Sequence, residues 1–298
     1  MKRRRFIKNI FFSTLTLCFS SCGVGFFRKK WSFGLVSDIH YADRPPKVEW
    51  KRYYRKSYAK FKVAIDFFNT TDCEFVTCLG DLKDQKKYPS KDTTLSFLEK
   101  IELLFSSFKG DRFHVLGNHD LDSISKQEFL DRVTNTGIEK SKSYYSFNRN
   151  DVHFVVLDSC FKQDQVPYNA GNFEWYDAAL SLKQLDWLKE DLNSTSLLTI
   201  VFIHHPLDDF NLPDKRISIS NAPEVREVLE QNGKVKVVFQ GHHHDGNYSY
   251  NNGIHYYTMK SVVDGLVENN FALVTVDQQK KQIVIDGHGE TDDKILQL

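Results

Sequence analysis

Phe113-His114-Val115-Leu116-Gly117-Asn118-His119-Asp120 decides how this chain is read. An apolar run of strand length ends at a glycine, and an amide, an imidazole and a carboxylate follow at once. The same arrangement recurs along the chain. Phe33–Ser37 leads into Asp38-Ile39-His40, Phe75–Gly80 into Asp81, Leu197–Ile203 into His204, and Val235–Gly241 into His242-His243-His244. Near-continuous apolar runs suit strands covered on both faces. They predict strands over 33–36, 75–79, 113–116, 152–157, 197–203 and 235–239. Helical spacing falls between them: Tyr58, Phe61, Ile65 and Phe68 share one face, and Leu182, Leu185, Trp187, Leu188 and Leu192 another, with Ser181 as N-cap. Strand–helix alternation argues an α/β architecture. The chain from Ile254 onward reads as richer in strands. Residues 161–180, with many turn formers and aromatics, read as a long surface loop of the kind that often carries function.

In α/β sheets, ligands bind at the carboxyl ends of the strands. Five strands would therefore deliver polar residues to one edge. Each piece alone is a weak signal: Gly-Asp marks many turns, and a His triplet suits a solvated loop. Their joint placement after five strands is what chance does not supply. Carboxylate, imidazole and amide oxygen suit borderline and hard divalent cations better than thiolates would. Asp81 is the candidate bridging carboxylate. Two metals about 3.5–4 Å apart hold a hydroxide and clamp a phosphoryl group during in-line displacement.

Asp-x-His, Gly-Asp, Gly-Asn-His-Asp, His and Gly-His-x-His, in this order over residues 38–244, resemble the calcineurin-like metallophosphoesterases. The resemblance implies a four-layer α/β sandwich: two mixed β-sheets flanked by helices. It implies that Asp38, His40 and His244 hold one divalent metal and Asn118, His204 and His242 the other, with Asp81 shared. It gives His119 the phosphate and the transition state, and gives Asp120 the orientation of His119. The family pattern His-x-Pro, met here by Pro206, selects His204 over His205 as the ligand. Strand alternation would turn those two side chains to opposite faces, and His243, between two ligands, should point away from the metals.

A closer resemblance, to the manganese-dependent ADP-ribose/CDP-alcohol diphosphatases, rests on His40-Tyr41-Ala42-Asp43, Arg52-Tyr53-Tyr54-Arg55 and His244-Asp245-Gly246-x-Tyr248. It implies manganese as the first metal, with iron or zinc as alternatives, and a nucleoside diphosphate derivative as substrate. Tyr41 and Asp43 would lie beside the phosphate. Arg52 and Arg55, with Lys56 and Lys60, either meet a diphosphate or form a solvated helix face. Phe173, Trp175 and Tyr176 either stack on a base or form a small cluster under the long loop.

The 298 residues, 41% hydrophobic and 27% charged, are those of a globular chain with room for one large domain over 31–298. Residues 1–21 hold Lys2, Arg3, Arg4, Arg5 and Lys8, no acid, and an apolar stretch too short to span a bilayer. They read as a signal peptide. Arg3-Arg4-Arg5-Phe6 resembles a twin-arginine export signal, the alternative being an ordinary arginine-rich leader. Ser20-Ser21-Cys22-Gly23 resembles a lipoprotein cleavage site, which would place a lipid on Cys22, a tether over 22–30 and an exported protein at a membrane surface. Without the leader the chain has 35 basic and 39 acidic residues, a net charge of −4. That balance gives no support for a nucleic-acid partner. Cys73, Cys78 and Cys160 fit neither a zinc ribbon nor a disulfide framework. Three functions remain: a hydrolase of diphosphate or phosphodiester bonds, a phosphomonoesterase on the same scaffold, and an inactive metal-binding lipoprotein.

Overall fold

The computed structural model describes residues 30–298. The expected leader, Cys22 and nearly all of the tether lie outside the described residues. Twelve strands and five α-helices are present among them. In chain order they are β1 (Lys30–Val36), α1 (Tyr54–Phe68), β2 (Cys73–Cys78), α2 (Lys91–Phe105), β3 (Asp111–His114), α3 (Lys126–Leu130), β4 (Tyr145–Arg149), β5 (Val152–Val156), α4 (Leu182–Ser194), β6 (Leu198–Phe202), α5 (Ala222–Asn232), β7 (Val235–Gln240), β8 (Asn247–Asn251), β9 (Ile254–Thr258), β10 (Phe271–Asp277), β11 (Gln282–His288) and β12 (Lys294–Gln297).

The strands form two six-stranded mixed sheets, ordered β12-β11-β10-β1-β2-β3 and β4-β5-β6-β7-β9-β8. Parallel pairing joins β1 to β2 to β3 in the first, and β5 to β6 to β7 to β9 in the second. The sandwich expected from the resemblance is the fold observed. Its reason is visible in the side chains. Phe33, Phe75, Phe113, Phe154, Phe202 and Phe239, one from each of six strands, belong to a single buried cluster between the sheets. Phe33 stacks on Phe75 at 4.9 Å and meets Phe154, Phe202 and Phe239 edge-on within 6.0 Å. Strand neighbours of opposite parity, such as Val36, Val76, Val155, Val201 and Val238, belong instead to the cluster that includes the helices' apolar faces. Both faces of each parallel strand are thus apolar, which is why the runs read as continuous.

Ser181 caps α4 by accepting from the Gln184 amide, as expected. Helices α2 and α5 and strands β4 and β8 did not stand out in the sequence. Residues 161–180 form the expected long loop, pinned by isolated bridges to Pro167 and Ala179. Among the described residues no helix is long and apolar enough to cross a membrane.

Candidate metal centre

β1, β2, β3, β6 and β7 all run parallel within their sheets, so their carboxyl ends meet at one edge. The turns that leave those ends carry the polar residues, and they interlock. The Asp38 amide donates to the Gly80 carbonyl at 3.1 Å, and the His40 amide to the Asp81 carbonyl at 2.8 Å. The turns are tight: Asp38, His40, Asp81 and His242 all have left-handed backbones, with φ of 53°, 47°, 54° and 66°. Such conformations cost about 1–3 kcal/mol each for ordinary residues and gather at functional sites. Two glycines are demanded by close approach. A Cβ on Gly117 would stand 2.2 Å from Asp81 Oδ1, and one on Gly241 would stand 2.2 Å from Ser37 Oγ.

The buried donors gather into two overlapping groups. In the first, His40 Nε2 lies 3.2 Å from His244 Nε2, 3.8 Å from Asp38 Oδ1 and 3.4 Å from Asp81 Oδ2, and His244 Nε2 lies 3.5 Å from Asp38 Oδ1. In the second, His204 Nε2 lies 3.3 Å from both Asp81 Oδ2 and Asn118 Oδ1. His242 adjoins this group through His204, its ring centred 5.1 Å from that of His204, and its donor atom clusters with those of His204 and His205. Donors that share a cation at about 2.1 Å stand roughly 3–3.5 Å apart. The spacing therefore fits two divalent ions. Asp38 Oδ1, buried and without a hydrogen-bond partner, is the kind of atom a cation would satisfy. All seven expected ligands are brought together, and Asp81 Oδ2 is the atom common to both groups.

Charge tells the same story. Burial resists ionisation of Asp81, but the imidazoles of His204, His40 and His119 hold its pKa well below the usual carboxylate range. Burial likewise opposes charge on His40. Asp81, Asp38 and Asp84 outweigh it and raise that pKa to about 10. His204 rises to about 9 against burial, through Asp81 and Asp38. His242 goes the other way, to about 3, through burial and the proximity of His204. The carboxylates of this centre thus favour positive charge on His40 and His204 but not on His242.

His119 is placed at the floor of a cleft of about 640 Å³, with Asp81, Asn118 and His242. Its amide donates to Asp81 Oδ1 at 2.7 Å. Its Nδ1 is buried and faces Asp84 and Asp122, at 3.8 Å from each, while the ring as a whole is part-exposed and meets the cleft with its other edge. Phe173 packs against the ring at 5.7 Å.

Asp120 does not orient His119. Its carboxylate instead accepts from the amides of Gly117, Asp81, Leu82 and, more distantly, Lys83. It thereby ties the turn after β2 to the turn after β3, and the short 3-10 turn at His119–Leu121 directs it inward. Asp84 and Asp122 stand where Asp120 was expected, and the buried Lys83 ammonium pairs with Asp122 and donates to the His119 carbonyl. Asp84 also faces His40 Nδ1 at 3.3 Å and is held by Arg44 at 3.2 Å. Both acids lie just beyond the motifs, Asp84 three residues past Asp81 and Asp122 two past Asp120.

The expected substrate residues divide. Arg52 and Trp175 line the cleft. Tyr41 does not: its ring is buried against Tyr58 and Phe97, because the backbone bridge from Tyr41 to Lys83 turns the side chain into the core. Asp43 and Arg55, the latter in the first turn of α1, form an exposed ion pair with each other, and neither lines the cleft. Lys60 donates to the carbonyls of Asp264 and Gly265. Lys47 and Trp50, which the sequence did not single out, complete the wall beside Arg52. His205 differs as well. β6 ends at Phe202, so strand alternation no longer governs residues 204 and 205. The His205 ring stays 4.3 Å from that of His242, anchored by a 2.8 Å hydrogen bond to Ser159. His243 joins none of the donor groups and lies at the cleft rim.

The family model for calcineurin-like phosphoesterases matches residues 32–246. The manganese-dependent ADP-ribose/CDP-alcohol diphosphatase of Arabidopsis thaliana is 25% identical over 273 residues, covering 78% of this chain and 86% of that protein. The enzyme of the same name from Xenopus laevis is 24% identical, covering 89% and 90%. A dimetal phosphatase from Danio rerio shares the fold with a TM-score of 0.76 at 20% identity, covering 90% of this chain and 98% of its own.

Proposed function

Because the chain belongs to the calcineurin-like phosphoesterase family and is a metal-dependent hydrolase, we propose that its substrate is a nucleoside diphosphate joined to a sugar or alcohol, with ADP-ribose and CDP-alcohols as first candidates. Manganese is the metal proposed first. The observation that carries this reading is the composition of the cleft. Its floor is the metal-type centre, one wall holds the cations Lys47 and Arg52, and Trp50 and Trp175 stand exposed by 60% and 43% at its sides. Bare phosphate needs none of this. A volume of about 640 Å³ lies in the range of sites for whole small molecules. The names of the plant and amphibian relatives support the same class.

Two divalent ions, when bound, supply Lewis-acid polarisation of the phosphoryl group and an activated water. The protein's own groups do the rest. Asp81 holds the two donor sets in register through one oxygen. Nδ1 of His119 faces Asp84 and Asp122, so Nε2 is the edge offered to the cleft; in the imidazolium form that edge would donate a hydrogen bond to a phosphoryl or leaving-group oxygen. Arg52 matches the geometry of the second phosphate, and Trp175 offers a flat apolar face to a base. The test is a product assay of manganese-loaded protein on ADP-ribose, a CDP-alcohol and a small aryl phosphate. Cleavage between the two phosphates is expected. Equal kcat/KM on the aryl phosphate would instead favour a phosphomonoesterase, and no turnover on any of them would overturn the proposed substrate class.

Export and membrane attachment are proposed on the leader alone. Cys22→Ala is expected to release the protein from the membrane fraction, and Lys at positions 3 and 4 to retain it inside the cell. Unchanged membrane association of the Cys22 variant would remove the lipid anchor.

A further inference from the structure

His244 Nδ1, on the ring side opposite the metal-type donors, lies 3.0 Å from Asp264 Oδ2. Asp264 is twenty residues downstream, outside every motif quoted above. It sits in a segment bonded on two sides. Towards the centre, the Ser261 amide donates to the His244 carbonyl, and the Val262 and Val263 amides donate to the carbonyls of Ser37 and Asp38. Towards the cleft wall, the Tyr53 amide donates to the Val263 carbonyl and the Gly265 amide to the Lys51 carbonyl, so that the backbones of Arg52 and Asp264 pair as an isolated antiparallel bridge. The buried ammonium of Lys60 on α1 donates to the Asp264 carbonyl at 2.6 Å and to the Gly265 carbonyl at 3.1 Å.

We propose that Asp264 is a positioning residue: it fixes the His244 imidazole so that Nε2 faces the Asp38–His40 centre, and Lys60 holds Asp264 there. The inference rests on the metal-centre reading but not on the identity of the substrate. An imidazole has two nitrogens, and the partner of one decides how the other is presented to a cation. A carboxylate on Nδ1 selects the tautomer with a free Nε2 lone pair and makes that lone pair more basic. Asp264 gives His244 this support, as Asp84 does for His40. His204 on the other centre has only the neutral Leu79 carbonyl, 2.8 Å from its Nδ1. The ammonium of Lys60 does not reach a ligand. It secures the backbone whose side chain does.

The experiment titrates metal-free protein with manganese by calorimetry, with circular dichroism confirming the fold. Loss of such a partner typically costs about 10–100-fold in metal affinity. Asp264→Ala is expected to weaken one of the two binding steps within that range and leave the other unchanged. Asp264→Asn, which keeps shape but not charge, should give about a tenfold loss, and it decides the matter where the alanine variant fails to fold. Lys60→Met should weaken the same step, and its effect should vanish in the Asp264→Ala background, because the two act through one path. Wild-type manganese affinity in a folded Asp264 variant would overturn the inference, whatever its thermal midpoint. Failure of the wild-type protein itself to take up metal would overturn it together with the reading on which it rests.

Discussion

Asp81 divides its carboxylate between two tasks: Oδ2 faces His40 and His204, and Oδ1 takes the His119 amide. Asp81→Asn should therefore lose metal, measured as bound manganese per chain. His119→Ala should keep its metal and lose rate, by about 10²–10⁴-fold for a group that acts as acid or base. Full metal and full rate in either variant would remove the role given to that residue. Asp120 makes a sharper case, because two roles predict different outcomes. As an acceptor for the amides of two turns, it cannot be replaced by an amide without setting an N–H₂ against N–H donors. Asp120→Asn should cost about 1–3 kcal/mol, the penalty for a buried donor left unpaired, seen as a lower denaturant midpoint. An orienting role on His119 predicts instead a rate loss at unchanged stability.

At the scale of elements, the seven clustered donors were legible because each follows a strand whose two buried faces make it apolar without interruption. Gly117 and Gly241 mark the points where neighbouring turns leave no space for a Cβ. The cleft walls were not legible. Tyr41 directly follows His40, yet its backbone bridge to Lys83 sends the ring into the core. Trp50 enters the cleft because the segment 51–53 pairs with 263–265, more than two hundred residues away, and no local spacing reports that. Edge strands β4 and β8 were missed because their outer faces are polar, which breaks the apolar run. The walls carry their own prediction. Arg52→Ala and Trp175→Ala should raise KM for a nucleoside diphosphate substrate far more than for a small aryl phosphate, since stacking on an aromatic is worth about 1–3 kcal/mol. An equal effect on both substrates would mean that neither residue touches the part of the substrate beyond the reacting phosphate.

Across the whole molecule, the centre gathers buried Asp38, Asp81 and Asp84 with the imidazoles of His40, His204, His242 and His244, and the stability of the protein must follow the charge that compensates the acids. In metal-free protein, protons on His40 and His204 do this. Their folded pKa values, about 10 and about 9, lie above the ordinary value of 6.5. A raised folded pKa adds stability that is complete below the unfolded value and is lost as pH rises through the folded one. Stability should therefore fall between about pH 6.5 and 10. His242 is held neutral, its pKa lowered to about 3. It therefore costs stability as pH drops below 6.5, because the unfolded chain takes up a proton that the folded one refuses. The metal-free midpoint should peak near neutrality and decline on both sides. A divalent metal that binds the folded state alone adds about 2.7 kcal/mol per site at a free concentration of a hundred times Kd. It also replaces the protons, and the alkaline decline should disappear. Differential scanning calorimetry from pH 5 to 10, with manganese and after chelation, measures both effects. A midpoint indifferent to chelation at pH 9 would show that these carboxylates are not compensated by metal.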